Sequence, residues 1–456
     1  MTNRNILTTL AKTIQCEKIY YSPVTVLPSN IDAPLESIYC FLSKVDPWPD
    51  EENPPVPGSS VKEIKQTFKN IFAVKKVGGS DISPVIQRIN WTNGVIYDYY
   101  RDDIDMLELD TNGRLIQNFY VKNKYDQVFK CLWNNKGAPS TDEPVFEPGS
   151  YGANKIFIGS NDGYKWKYVY TVDLGLKIKF MDDTWMPVSI GSNTANPLLS
   201  SSGSGGIEVL HLIESGSGYD PANAVITVSI TGDGTGAAAD VSVANGEIID
   251  ITVTSAGSNY TFANAAIVSS IGSGAVVYAN TSPVGGHGFD PISELGCTHV
   301  MITAEFNGSE NNIIPTDIDF HQIGLLVNPT TSALSPNFAN GNVYRTTTDL
   351  LVAPGFGVFL EDEVVFQGPN LQNATFQGRV LTFNTSTNIL YLINTIGTPT
   401  LNAPLSGNTS SITRTLLTAT NPVFTLFSGY IIFIENRTGV ERSDDGIEQI
   451  RFVLGF

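Results

Sequence analysis

The sequence predicts a mainly β, multi-domain chain: a β-sandwich architecture with a few short helices and an inserted β module. Three observations predict it. Aromatic and β-branched residues recur at period two in many short runs, the pattern of strands. Charged residues make up only 16%, against roughly 25% in ordinary soluble domains, and Gly, Asn, Ser and Thr take their place, which favours turns and strands over long helices. Finally, the segment 207–229 recurs at 248–270, an internal repeat.

At 456 residues, the chain is long enough for two or three cores. Residues 5–16 carry Ile6, Leu10 and Ile14 at four-residue spacing and predict a short helix. SIYCFLSKV (37–45) reads as a strand. Between Pro47 and Gly58 stand Pro47, Pro49, Pro54, Pro55 and Pro57, which exclude helix and central strand and predict an extended exposed loop. VKEIKQTFKNIFAVKKV (61–77) sets Val61, Ile64, Phe68, Ile71 and Phe72 on one helical face, with Ser59 or Ser60 as cap. VIYDYY, IQNFYVK and QVFKCLW read as strands, and Thr111-Asn112-Gly113 as a hairpin turn. KWKYVYTV puts Trp166, Tyr168 and Tyr170 on one face and Lys165 and Lys167 on the other, a half-buried strand whose lysines are expected to meet water or a partner. SNTANPLLSSSGSGG (192–206) reads as a flexible linker. The repeat after it matches Ile207 with Ile248, Gly216 with Gly257 and Tyr219 with Tyr260. Each copy reads as two strands joined by a turn. Strand patterns resume on the far side, so the expected organisation is a discontinuous β-rich core (1–195 and 286–456) around an inserted module (196–285).

No residue pattern demands catalysis. The net charge of −18 argues against nucleic-acid binding, which wants a basic stripe. Cys16, Cys40, Cys131 and Cys297 are too far apart for a zinc ribbon and read as buried free thiols. The acidic run with Asp102, Asp103, Asp105, Glu108 and Asp110 lacks the EF-hand pattern and reads as solvated loop charge, with a glycosidase-like carboxyl pair as the sharper alternative. Glu361, Asp362 and Glu363 read as an exposed hairpin tip. His211, His287, His299 and His321 have no metal-motif spacing. GDGTG (232–236) leads into a strand rather than a helix, so it reads as a turn and not a phosphate loop. Trp48 and Trp91 stand in polar loops, where a tryptophan serves as core plug, protein hot spot or sugar platform. No secretory signal and no membrane span are expected.

Several strings resemble one family: DPWPDEENPPVP (46–57), DISPVIQRINWTNGVIYDYY (81–100), FYVKNKYDQVFKCLWNNKGAPSTDEP (119–144), DGYKWKYVYTV (162–172), IPTDIDFHQIGLLVNP (314–329) and GYIIFIENRTGVERSDDGIEQIRFVLGF (429–456). Together they resemble the gene-eight-type baseplate wedge subunit of contractile-tailed, T-even-like bacteriophages. The repeat region departs from that pattern. The resemblance implies a structural virion protein, not an enzyme. It implies no cofactor or metal, and a homodimer within each wedge. Its partners would be other wedge proteins and fibre-connecting proteins, with no nucleic acid and no membrane. Its place would be the tail baseplate, assembled in the host cytoplasm. Trp48, Trp91, Lys165 and Lys167 are the expected protein-interface residues. The alternative reading is a carbohydrate- or receptor-binding tail module.

Overall fold

A computed structural model describes residues 8–21, 37–147, 156–189, 205–331 and 338–456. Ile6 and most of the expected linker, 192–204, lie outside the described residues. The protein is mainly β, with several sheets, a small closed barrel and a few short helices. It divides into two compact units: Met1–Glu17 with Ser83–Met301 and Val453–Phe456, and Lys18–Ile82 with Ile302–Phe452.

In the first unit, an antiparallel sheet runs in the order Tyr120–Lys122, Gln127–Trp133, Lys165–Thr171, Ile156–Ile158. Its core is aromatic. Trp166 is fully buried, stacked on Tyr164 at 5.5 Å and edge-on to Tyr97 at 5.5 Å. The run VIYDYY, expected as a strand, is irregular. Its backbone is held one bond at a time, with Tyr97 N donating to the Tyr164 hydroxyl (3.2 Å) and Tyr100 N to Cys131 O (2.8 Å). The aromatic side chains, rather than a ladder, fix this segment. The Asn112-Gly113 turn does form: Asp110 Oδ1 accepts from Asn112 N and Arg114 N, and Gly113 takes φ 74°.

The repeat folds with three strands per copy, not two. The first copy supplies Leu210–Ser217, Thr227–Gly232 and Thr235–Ala244; the second supplies Glu247–Ser258, Ala263–Val268 and Ser273–Ala279. The copies interlock. Leu210–Ser217 pairs with Ser273–Ala279, Glu247–Ser258 with Thr235–Ala244, and Thr227–Gly232 with Ala263–Val268. Each first strand thus finds its partner in the other copy. That core contains matched residues: Ile207 and Ile248, Leu210 and Ile251, Tyr219 and Tyr260. The tyrosine hydroxyls also cross over, Tyr219 accepting from Ala275 N (3.2 Å) and Tyr260 from Ala237 N (3.4 Å).

In the second unit, a five-stranded antiparallel sheet runs Val343–Arg345, Ile71–Lys76, Ile38–Ser43, Ile318–Val327, Tyr430–Arg442. Ile38–Ser43 is buried along its whole length. The helix expected over 61–77 stops at Asn70. Ser60 caps it with a capping box, its Oγ accepting from Glu63 N while Glu63 Oε2 accepts from Ser60 N. Ile71 and Phe72, expected on the helix, belong to the next strand instead, because both faces of IFAV are buried in the sheet. The helix Thr9–Tyr21 belongs to the first unit as far as Glu17. Leu10 and Ile14, expected on its buried stripe, are exposed, and Thr13 and Cys16 face inward.

Residues 348–420 close a six-stranded barrel that the sequence patterns did not announce: Thr348–Val352, Ile389–Gly397, Phe376–Asn384, Val364–Gln367, Pro404–Gly407, Thr413–Thr420. Leu350, Val365, Val380, Leu390, Leu392 and Leu416 fill its interior. Closure leaves these strands without a free edge.

Candidate functional site

Lys165 and Lys167 do not face solvent. Both are buried, at 7% and 2% exposure. Lys167 Nζ pairs with Glu208 Oε2 at 2.7 Å, and Lys165 Nζ with Asp250 Oδ1 at 3.0 Å. The strand is covered on both faces, because the repeat module packs over the side that alternation assigned to water. Lys167 also stands directly opposite Lys130 in the ladder. Like charges in register repel, so this pair needs neutralising. Glu294 Oε1 meets Lys130 Nζ at 2.7 Å, with both side chains buried. His287 Nδ1 lies 2.9 Å from the same carboxylate oxygen, and Gly288 N donates to Glu294 Oε2 at 2.5 Å. The His287 backbone N–H donates to Glu208 Oε1 at 3.3 Å. The Tyr100 ring closes the cluster, its centroid 3.7 Å from Lys130 Nζ, a cation–π contact.

The electrostatics follow from burial and neighbours. Burial lowers the Lys130 pKa, opposed by Glu294. Burial also lowers His287, helped by Lys130; its Nδ1 lies 3.2 Å from Lys130 Nζ as well as 2.9 Å from Glu294 Oε1. Burial by itself would raise Glu294, but Lys130 and His287 outweigh it and hold the carboxyl well below the usual range. The cluster is a charge-balanced internal tie among the aromatic sheet, the repeat module and the 286–294 loop.

His211 makes a second buried tie. Its ring stacks on Trp133 at 4.9 Å, and Nε2 donates to Leu132 O at 2.8 Å. Burial pushes its pKa from 6.5 down to about 3. An unfolded chain takes up this proton near 6.5, and the folded chain only near 3. Between those values the unfolded state binds more protons, so stability falls as pH is lowered through that window. Each unit of difference is worth about 1.4 kcal/mol, so several kcal/mol are at stake. Denaturant titrations at neutral pH and near pH 4 should show this loss, and His211→Phe should reduce it. Equal stability at the two pH values would contradict the assignment.

The other expected site residues are distributed. Trp48 is half-buried, with Nε1 donating to Arg437 O at 2.8 Å. Trp91 is half-buried, with Nε1 donating to Ser140 Oγ at 3.0 Å. In the acidic run, Asp102 Oδ2 accepts from Thr281 N and Oγ1 (2.8 Å each), Asp103 pairs with Arg101 (2.6 Å), and Asp105 accepts from Leu107 N (3.0 Å). These carboxylates serve separate partners. The GDGTG turn cradles a ring, since a Cβ on Gly234 would stand 2.3 Å from the Tyr260 side chain.

Of the Glu361–Glu363 turn, Glu361 and Asp362 are exposed, as expected, and Glu363 is not. Glu363 is buried and accepts from Leu360 N, Thr409 N and Ser410 N. Asp319, Glu361 and Asp362 converge as a cation site would, but the buried ammonium of Lys44 pairs with all three and takes the place of an ion. The sequence did contain a signal for Lys44 and Lys130. Lys130 interrupts and Lys44 directly follows an apolar strand run, and a buried lysine needs a carboxylate partner. All four cysteines are buried free thiols. No helix among the described residues is long and apolar enough to cross a membrane. No protein-family model and no curated protein matches the chain.

Proposed function

We propose that this chain is a structural subunit of a contractile phage tail, a baseplate wedge component that joins wedge proteins and passes on their rearrangement during contraction. One observation carries the reading. The two most distinctive strings of the family resemblance, KNKYDQVFKC and DGYKWKY, contribute Lys122, Lys130, Lys165 and Lys167 to ion pairs within the chain rather than to an open reaction centre. Ionisable groups in those strings hold sheet, module and loop together, which suits a part that must move as a body under load. Partner contacts then fall on Trp48 and Trp91 and their exposed surroundings, and not on Lys165 and Lys167. The reading includes a homodimer, no catalysis and residence in the virion.

The test is association. Purified protein run on size exclusion with light scattering should show twice the chain mass. Mixed with the other baseplate proteins of its phage, it should enter a larger complex, and it should be detected by mass spectrometry in purified tails. A chain that stays monomeric, ignores those proteins and is missing from tails would overturn the proposal.

A further inference from the structure

Two of the four cysteines meet. Cys16 Sγ, on the Thr9–Tyr21 helix, lies 3.8 Å from Cys297 Sγ, which follows the short Pro291–Glu294 helix. Both residues belong to the first unit, and both are fully buried. The two sulfurs share an acceptor. His299 O lies 3.3 Å from Cys16 Sγ and 3.4 Å from Cys297 Sγ, and Val85 O lies 3.3 Å from Cys297 Sγ. Backbone carbonyls thus hold the thiols side by side. The Cys131 thiol, by contrast, donates to Trp133 O at 3.4 Å. A disulfide has an S–S bond of about 2.0 Å, so this pair needs a closure of only about 1.8 Å.

The helix that carries Cys16 has few other anchors. Its inward side chains are Thr13 and Cys16, while Leu10 and Ile14 are 59% and 43% exposed. Beside it lies a cavity of about 270 Å³, with Thr9 and Lys12 on one wall and Ile86, Leu107, Trp185 and Leu295 on the others. Space of that size holds several water-sized molecules. Val85 and His299, whose carbonyls face the thiols, also line it. The sulfurs stand behind that wall, so reaction requires the helix to lift. A helix with little buried apolar surface opens at low cost, and its opening exposes Cys16 to whatever small molecule fills the cavity.

We propose that Cys16 and Cys297 are a reversible disulfide site, oxidised by hydrogen peroxide, that locks the N-terminal helix to the first unit. With the helix lifted, Cys16 gives its proton to water, and the thiolate attacks one oxygen of the peroxide. The O–O bond breaks, hydroxide leaves and takes up a proton to become water, and Cys16 is left as a sulfenic acid. The helix then returns. The Cys297 sulfur attacks the Cys16 sulfur, the S–O bond breaks, and the departing hydroxide leaves as water with the Cys297 proton. In all, two thiols lose two electrons and one peroxide becomes two waters. Burial, and Cys16 beside it, push the Cys297 thiol up, which suits it to the second step rather than the first. The two residues are 281 positions apart, and a cross-link over so long a loop restricts the unfolded chain strongly. The inference is independent of the wedge assignment: either can fail alone.

The experiment uses the full chain, purified with reductant, freed of it, and treated with hydrogen peroxide under native conditions. Thiols are then counted with a thiol reagent in denaturant, and the linkage is mapped by mass spectrometry of peptides. The count should fall from four to two, with Cys16 joined to Cys297, and dithiothreitol should restore it. Amide exchange in the helix should slow roughly tenfold or more on oxidation. The thermal midpoint should rise by about 5 °C or more. Cys16→Ala and Cys297→Ala should abolish both shifts; if either variant does not fold, the mapping on the native sequence decides by itself. Four surviving thiols, at a peroxide concentration that oxidises the chain in urea, overturn the proposal. So does pairing through Cys40 or Cys131 or between chains, oxidation of Cys16 beyond the sulfenic acid with Cys297 still free, or a Cys16–Cys297 bond that leaves exchange in the helix unchanged.

Discussion

Replacing Lys130 with methionine is expected to destabilise the protein by roughly 3–5 kcal/mol, the cost of leaving a buried partner charge uncompensated. The Glu294 side chain is 3% exposed, and its nearest cation is this lysine at 2.7 Å. Methionine keeps the length of the side chain and removes the charge, so lost packing contributes little. Without the ammonium, burial dominates and Glu294 is pushed above its ordinary pKa. The sign of the pH dependence then reverses at this group. In the native protein Glu294 has a lowered pKa, so its contribution is present above the ordinary carboxylate value and is lost on acidification. In Lys130→Met the carboxylate is a liability above its raised pKa, and protonation relieves it. The deficit relative to the native chain should therefore narrow as pH falls. The double variant Lys130→Met/Glu294→Gln should recover much of the loss at neutral pH. Urea titrations of these three chains and of Glu294→Gln alone measure the coupling. A deficit under about 1 kcal/mol would mean that the pair is solvated and is not the internal tie described above.

The second large effect is expected in the repeat module. Gly216→Ala and Gly257→Ala should each cost roughly 3 kcal/mol or more, and by similar amounts. These glycines occupy equivalent positions, with φ 63° and 62°, a region that penalises any Cβ. Space is also missing. A Cβ on Gly216 would stand 2.5 Å from Ala275 N and 2.7 Å from Ser273 O; on Gly257 it would stand 2.5 Å from both Ala237 N and Thr235 O. The obstructing atoms are backbone of the opposite copy, so no side chain can turn away. Gly94 provides the comparison: φ is 82° but nothing lies within 4 Å, so Gly94→Ala should cost only about 1–2 kcal/mol. Chemical denaturation followed by hydrogen exchange in 207–279 reads both size and location. If Gly216→Ala and Gly257→Ala behave like Gly94→Ala, the interlocked register is wrong.

Part of this was legible in the sequence. Period-two runs located strands such as Gln127–Trp133 and Lys165–Thr171, and the repeat exposed Gly216, Gly257, Tyr219 and Tyr260 as matched positions. What sequence could not supply was the partner of each strand. Alternation in KWKYVYT marks two faces but does not tell solvent from a covering module, so Lys165 and Lys167 read as outward when they are buried. The 61–77 run has helical spacing throughout, yet Ile71–Lys76 is drawn into the sheet because both its faces find apolar neighbours. Repeat matches likewise fix which residues are equivalent, not whether a copy pairs with itself.

The interlocked module also has a mechanical property. The chain comes in and goes out side by side, with Ser282 N bonded to Gly206 O at 2.9 Å. The strands nearest those two points, Leu210–Ser217 and Ser273–Ala279, are antiparallel neighbours whose first pair is Leu210 with Ala279. Tension that separates the two attachment points therefore meets these hydrogen bonds in sequence rather than together. They peel from that end one pair at a time, like a zip, instead of resisting together as strands loaded in shear do.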